Sequence, residues 1–123
     1  MARLSRLGVV APLVAAGLLL SACGSGSAIA QARASCKFVH AALALQVRSE
    51  AKGLTSAQRN DLQGQAMGEL LKGTPAAAAA TSSDGSWNPL MTTIGEAQRV
   101  PLHDLVPALR RLCQVADSSS PYL

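Results

Sequence analysis

The fold class follows from the segment DLVPALRRLCQVA at residues 104–116. Its apolar side chains recur every three or four residues, which is the spacing of one face of an α-helix. Pro107 is best tolerated in the first turn of a helix, so we expect Asp104 to be the N-cap. The segment predicts an amphipathic helix whose stripe is Leu105, Val106, Leu109, Leu112, Cys113 and Ala116.

Three further helical segments precede this one, and each shows the same apolar spacing. They cover residues 35–52, 55–80 and about 86–98, and Pro89 has to fall in the first turn of the third. Their stripes are Cys36, Val39, Leu43 and Val47 in the first, Leu62, Ala66, Met67, Leu70 and Leu71 in the second, and Trp87, Leu90, Met91 and Ile94 in the third.

The second segment carries its own boundary signals. Thr55 and Gln58 have the spacing of a capping box. Gly73 stands where a left-handed helix cap is expected, and the alanines that follow form either a short new helix or a bent continuation. Gly64 and Gly68 predict close packing against a neighbouring helix, although the same spacing supports dimerisation in membranes.

Composition agrees with a helical fold. Alanine and leucine supply most of the 49% hydrophobic content, whereas aromatic side chains make up only 2%. Strand-forming residues are therefore scarce and helix-forming residues abundant. We expect an all-α domain, built as a small four-helix up-down bundle.

The first 22 residues have the order of a secretory signal. Arg3 and Arg6 precede an uncharged run at residues 7–20, which as a helix is about 21 Å long and so too short to cross a bilayer. Without those two cations the chain keeps nine Lys and Arg against seven Asp and Glu, a net charge of +2. That charge is too small and too scattered to favour nucleic-acid binding.

The end of this segment, Leu20-Ser21-Ala22-Cys23, resembles the lipobox of bacterial lipoprotein precursors at all four positions. The resemblance implies cleavage before Cys23, lipid on that cysteine, and anchoring on the extracytoplasmic face of a cell membrane. Two or three acyl chains make such anchoring stable. The alternative is an ordinary signal peptide cut after residues 28–30, although that site lies unusually deep.

Export also bears on the remaining cysteines, Cys36 and Cys113. An even number of cysteines in an oxidising compartment suggests a disulfide, although two unpaired buried thiols are the alternative. In an up-down four-helix bundle the start of the first helix lies beside the end of the fourth, where these cysteines fall. We divide the chain into a signal peptide (1–22), a lipidated cysteine with a flexible linker (23–34) and a helical domain (35–123).

Residues 35–122 also resemble small alanine-rich proteins of actinobacteria that are assigned as lipoproteins. The resemblance lies in Ser35-Cys36, in Asp84-Gly85-Ser86-Trp87 followed by Leu90-Met91-Thr92-Thr93-Ile94, and in Leu112-Cys113. It implies a disulfide-linked helical domain and brings no known activity.

Few side chains suggest chemistry. Trp87 is either a core residue or a partner contact, and we favour the core. His40 is expected to be partly buried and hydrogen-bonded. His103 and Asp104 are either an orienting pair for acid–base chemistry or, as we favour, adjacent because Asp104 is the N-cap. We predict no cofactor and no metal site, because no Cys-x-x-Cys occurs and the histidines lack ligand spacing.

The function that fits best is a non-enzymatic, membrane-anchored module that binds or scaffolds another envelope protein. One alternative is a carrier of a small apolar ligand between the helices, which would require a large enclosed cavity. Another is an enzyme of unrecognised type, which would require His40 or His103 to cluster with Glu50, Glu69 or Glu96 in a cleft.

Overall fold

A computed structural model of the chain describes residues 27–118. In this range the chain forms five α-helices and a 3-10 turn, and no strand. The predicted all-α class is confirmed. The elements are α1 (Ala28–Ser49), α2 (Ser56–Lys72), α3 (Thr74–Ser83), the 3-10 turn (Gly85–Trp87), α4 (Asn88–Glu96) and α5 (Leu102–Asp117).

The longest helix, α1, organises the bundle by packing against α2, α3 and α5, while α4 packs against α3 and α5. Hydrogen bonds at both ends fix α2 antiparallel to α1. The Arg59 Nε donates to the Ser49 carbonyl at 3.2 Å, and the Ser35 hydroxyl donates to the Gly73 carbonyl at 2.9 Å. Only Gly73 separates α2 from α3, so the predicted four-helix layout describes the fold with the second helix bent there.

A disulfide joins α1 to α5. Cys36 and Cys113 are fully buried, with Cα atoms 5.6 Å apart, inside the usual range for a disulfide. The other ends of the two helices meet where the His103 Nδ1 lies 2.9 Å from the Glu50 Oε1. The predicted crosslink is therefore confirmed, and α5 runs antiparallel to α1.

The buried face of α1 differs from the predicted stripe. Gln46 is 3% exposed and Ser49 is fully buried, whereas Val47, expected in the core, is 51% exposed. The buried residues recur at alternating steps of three and four, which keeps one face toward the neighbouring helices. This seam is Ala32, Ser35, Val39, Ala42, Gln46 and Ser49.

The first helix begins seven residues before the predicted start. The Ser27 hydroxyl caps it by accepting from the Ala30 N–H at 3.1 Å. Residues 28–34, predicted to be flexible, are helical because Ala32 is buried and Arg33 donates to the carbonyls of Ala116 and Ser118 at 2.7 and 3.0 Å. Among residues 27–118, no helix combines the length and apolar character needed to cross a membrane.

Gly73 is not a left-handed cap, because its φ is −76°. Space explains the glycine instead. A Cβ atom at this position would lie 3.0 Å from the Ser35 hydroxyl, 3.1 Å from the Ser35 carbonyl and 3.2 Å from the Leu70 carbonyl. Among the described residues only Gly53, just after α1, has a positive φ, of 84°.

The start of α5 also differs from the prediction. Pro101 precedes the first helical residue, Leu102, and Asp104 lies in the first turn rather than at the N-cap. Pro107 consequently falls inside the helix. The helix therefore starts three residues before the expected first helical residue, Leu105. Leu102 explains the earlier start, because it is only 6% exposed and packs into the core.

The glycine pair of α2 does not pack closely on a described helix. Gly64 and Gly68 are exposed, and a Cβ atom on either would meet nothing within 4 Å. Two other local predictions hold. The Thr55–Gln58 capping box forms both reciprocal hydrogen bonds, and Pro89 lies in the first turn of α4.

Candidate functional site

The first feature of the surface is a groove between the C-terminal end of α1 and the N-terminal half of α5. We call it the α1–α5 groove. Its volume is about 270 Å³ and it is open to solvent. It is lined by Gln46, Val47, Glu50, His103, Val106, Pro107 and Arg110.

A histidine–carboxylate pair lies at its wall. The His103 Nδ1 is 2.9 Å from the Glu50 Oε1, and the two side chains are 70% and 45% exposed. The hydrogen bond with Glu50 and the charge of that carboxylate raise the pKa of His103 above 6.5. The same hydrogen bond, helped by one from Gln46, lowers the pKa of Glu50 below 4.5.

Gln46 forms a hydrogen bond with the carboxylate of this pair. It donates from Nε2 to the Glu50 Oε1 at 3.1 Å, although its own side chain is almost wholly buried. Within residues 27–118 its Oε1 accepts no hydrogen bond. This oxygen is accessible to solvent rather than buried without a partner, so it is a polar contact point for a ligand in the groove.

Arg110, on α5, supplies a cation to the lining of the groove. It is exposed and makes no ion pair with residues 27–118, but its charge contributes to lowering the pKa of Glu50. The remaining walls are apolar, and Val47 is the most exposed large hydrophobic residue of the described range. The groove thus combines a cation, a histidine–carboxylate pair and apolar walls.

A second groove adjoins the first. We call it the α2 groove, and its volume is about 220 Å³. It shares Gln46 and His103 with the α1–α5 groove, so those two side chains stand between the two spaces. Its other lining residues are Gln63, Met67, Pro101 and Leu102.

The structure distributes the predicted site residues widely. Cys23, the predicted lipidation site, lies outside the described residues. Cys36 and Cys113 form the buried disulfide. Trp87 is 4% exposed and belongs to the core with Leu90 and Ile94, so it offers no surface for a partner contact. Its Nε1 has no hydrogen-bond partner within residues 27–118.

Both histidines are exposed and each lies beside a carboxylate, but only His103 lines the α1–α5 and α2 grooves. His40, expected to be partly buried, is 55% exposed, and its Nε2 lies 2.7 Å from the Asp117 Oδ2 at the end of α5. His103 meets the condition set for an enzyme in part, because it pairs with Glu50 at a groove. Glu69 and Glu96 instead pair with Lys72 and Arg99 on their own surfaces.

Among the residues that line the α1–α5 groove, His103 is the one suited to proton transfer near neutral pH. The Nδ1 contact orients His103 so that its Nε2 is free to exchange a proton. None of the lining residues is a serine, threonine or cysteine that could act as a nucleophile. Among residues 27–118 there is no group of three or more His, Cys, Asp or Glu side chains placed to hold a metal ion.

The sequence did not reveal Gln46, Val47 or Arg110 as site residues. One signal was present: Gln46 stands three residues after Leu43, where the helical stripe calls for an apolar side chain. Glu50 and His103 are 53 residues apart and share no motif, so the fold alone brings them together.

Comparison with known proteins finds no matching family model, no matching curated protein and no matching solved structure.

Proposed function

We propose that this chain is a lipid-anchored envelope protein, acylated on Cys23, whose helical domain is a non-enzymatic module that binds another envelope protein. The lipobox-like segment Leu20-Ser21-Ala22-Cys23 supports the anchor. The α1–α5 groove supports the binding role, because it exposes the apolar side chain of Val47 beside the Gln46 amide and the Arg110 guanidinium, which can bind a ligand.

The position of the groove suits a partner beyond the membrane surface. Ala28 follows Cys23 by five residues, which span at most about 18 Å. The groove lies at the opposite end of α1, whose 22 residues extend about 33 Å. An anchor at Cys23 would therefore hold one end of the bundle near the lipid and present the groove away from it.

A protein partner accounts for the grooves better than a small apolar ligand does. Ligand pockets usually enclose about 300–1,000 Å³ and cover most of their ligand. The two grooves described above are smaller than this, open, and partly polar. Such depressions accommodate single side chains of a larger partner, so the carrier is the weaker alternative.

The pairing of His103 with Glu50 favours one second candidate, an enzyme that uses His103 as a proton acceptor. Two observations weaken it. Both side chains are largely exposed, and the raised pKa of His103 increases the fraction that is already protonated near neutral pH. A hydrolytic activity that is lost in His103→Gln and rises with the neutral form of His103 would support this candidate.

The anchor is tested by replacing Cys23 with alanine. We expect Cys23→Ala to abolish incorporation of labelled fatty acid and to release unprocessed or soluble protein. Ser25→Ala, which leaves the four lipobox positions intact, is the control and should remain lipidated. Fatty-acid labelling that persists in Cys23→Ala would refute an anchor at this residue.

The binding role is tested by placing a photoreactive amino acid at position 47 in the intact cell. We expect a crosslink to one protein of the envelope at this position and not at Gln65, which is exposed on α2. Arg110→Gln should weaken the crosslink, and Arg111→Gln, one residue away, should leave it unchanged. Equal crosslinking from positions 47 and 65 would contradict a partner at the groove.

A further inference from the structure

The α1–α5 groove carries one net positive charge when His103 is protonated, because its lining holds the cations His103 and Arg110 and one carboxylate, Glu50. When His103 is protonated its charge balances that of Glu50, 2.9 Å away, and Arg110 remains as the third charged lining residue. One carboxylate would neutralise it with a charge-assisted hydrogen bond. A phosphate group fits less well, because its second negative charge would face Glu50.

The groove also offers hydrogen bonds of the kind that a peptide backbone uses. The Gln46 amide keeps a free acceptor and a second N–H. Pro107 has no N–H, so the carbonyl of His103 lacks the donor that a helix normally supplies four residues on. Gln46, His103 and Pro107 all line the groove.

The adjoining space suits an apolar side chain. Met67, Pro101 and Leu102 line the α2 groove, and its volume of about 220 Å³ leaves room for one aliphatic group. Neither groove is lined by Phe, Tyr or Trp, which disfavours a sugar because sugar-binding sites commonly use the face of one of these side chains.

We propose that these adjoining grooves bind the C-terminal residues of an extended peptide. The terminal carboxylate pairs with Arg110, the last backbone amides bond to Gln46, and a preceding aliphatic side chain enters the α2 groove. This inference rests on the proposed role as a protein-binding module and names the part of the partner that is recognised.

The test compares two forms of one peptide. Acetyl-Ala-Leu-Ala with a free carboxylate is titrated into the full chain in detergent micelles and followed by NMR. We expect saturable shifts at Gln46 and Val47, and binding at least about tenfold weaker for the C-terminal amide, because the charged hydrogen bond is lost. Equal binding of the two forms, or no saturable binding of either, would overturn the proposal.

Two neighbouring arginines provide the matched variants. Both are exposed, so neither substitution should unfold the domain, and circular dichroism verifies this. Arg110→Gln should remove the preference for the free carboxylate, and Arg111→Gln should retain it. Equal losses in both variants would overturn the assignment, as would acetate alone binding as tightly as the peptide.

The peptide titration and the crosslinking experiment fail independently. A crosslink at position 47 without any peptide preference would refute the C-terminal peptide and leave the protein-binding module intact. Loss of both results would refute the proposed function as well.

Discussion

The two ends of the α1–α5 pair each carry an exposed histidine–carboxylate pair, but only one end has a covalent crosslink. At one end a fully buried disulfide joins Cys36 to Cys113. At the other, Glu50 and His103 form a largely exposed hydrogen bond above the groove. Because exposed ion pairs contribute little to stability, the disulfide contributes more to the stability of the fold than the Glu50–His103 pair does.

The largest expected effect comes from removing the disulfide between Cys36 and Cys113. The double variant Cys36→Ala/Cys113→Ala should lower the free energy of unfolding by about 4.5 kcal/mol, because the crosslink closes a loop of 77 residues. Thermal denaturation measures this loss. Hydrogen exchange should quicken most around Cys113.

Chemical reduction of the wild-type protein is the control for that variant, and it should give a similar drop in Tm without the added alanines. An unchanged Tm with both thiols shown to be free would contradict the stabilising role of the disulfide.

Two residues one turn apart on α1 give the next contrast. Leu43 is 6% exposed and Val47 is 51% exposed. Leu43→Ala should therefore cost about 2–5 kcal/mol, whereas Val47→Ala should stay within about 0.5 kcal/mol, because only the first leaves a cavity. Urea denaturation compares the two variants. If Val47→Ala were as unstable as Leu43→Ala, Val47 would be a core residue and would not line the groove.

Glycine-to-alanine substitutions should have opposite effects at two positions. Gly73→Ala should destabilise the domain by about 1–3 kcal/mol, since its new methyl group meets the Ser35 and Leu70 carbonyls. Gly64→Ala should stabilise it by about 0.5–1 kcal/mol, because alanine favours the helix and nothing lies nearby. Equal effects in thermal melts would show that Gly73 is not at a close helix contact.

The smallest expected effect is the pH dependence of stability that arises from the Glu50–His103 pair. The raised pKa of His103 adds stability that is present below pH 6.5 and is lost as the pH rises through its folded value. The lowered pKa of Glu50 adds stability that is present above pH 4.5 and is lost as the pH falls through its folded value. The pair should therefore stabilise most between about pH 4.5 and 6.5.

An NMR titration of His103 measures this pairing directly. Glu50→Gln should bring its pKa back toward 6.5, and His40→Gln, at the other end of the helix pair, should leave the titration of His103 unchanged. A His103 titration that does not respond to Glu50→Gln would show that the hydrogen bond does not form in solution.

The fold was predictable where the pattern was simple. The apolar stripe of α5 and the Thr55–Gln58 capping box each specify one local arrangement, and each is observed. The pairing of Cys36 with Cys113 is also as predicted, although α1 begins at Ala28 and Cys36 therefore lies inside the helix rather than at its start. The seam of α1 was not predictable by hydrophobicity, because Gln46 and Ser49 occupy buried positions. Ser49 is accommodated by donating to the Gln46 carbonyl at 2.6 Å, which no apolar spacing reveals.

The site was less predictable than the fold. Its charged members come from α1 and α5, which are distant in sequence, and their distances depend on how those helices pack. The predicted starts of α1 and α5 were also wrong, because both helices begin earlier in the chain. Ala28 and Leu102 precede the predicted starts because tertiary packing of Ala32 and Leu102 extends each helix, and the Ser27 hydroxyl caps the longer α1.

The early start of α1 has a mechanical consequence. If Cys23 is held in a membrane and a partner pulls on the groove, the load on Val47 travels lengthwise down α1 to the anchor. The load on Arg110 travels down α5 to Cys113, crosses the disulfide to Cys36 and joins the same route. The two helices are covalently joined near the end of α1 that is closest to Cys23 in sequence, and α2, α3 and α4 lie outside this covalent route.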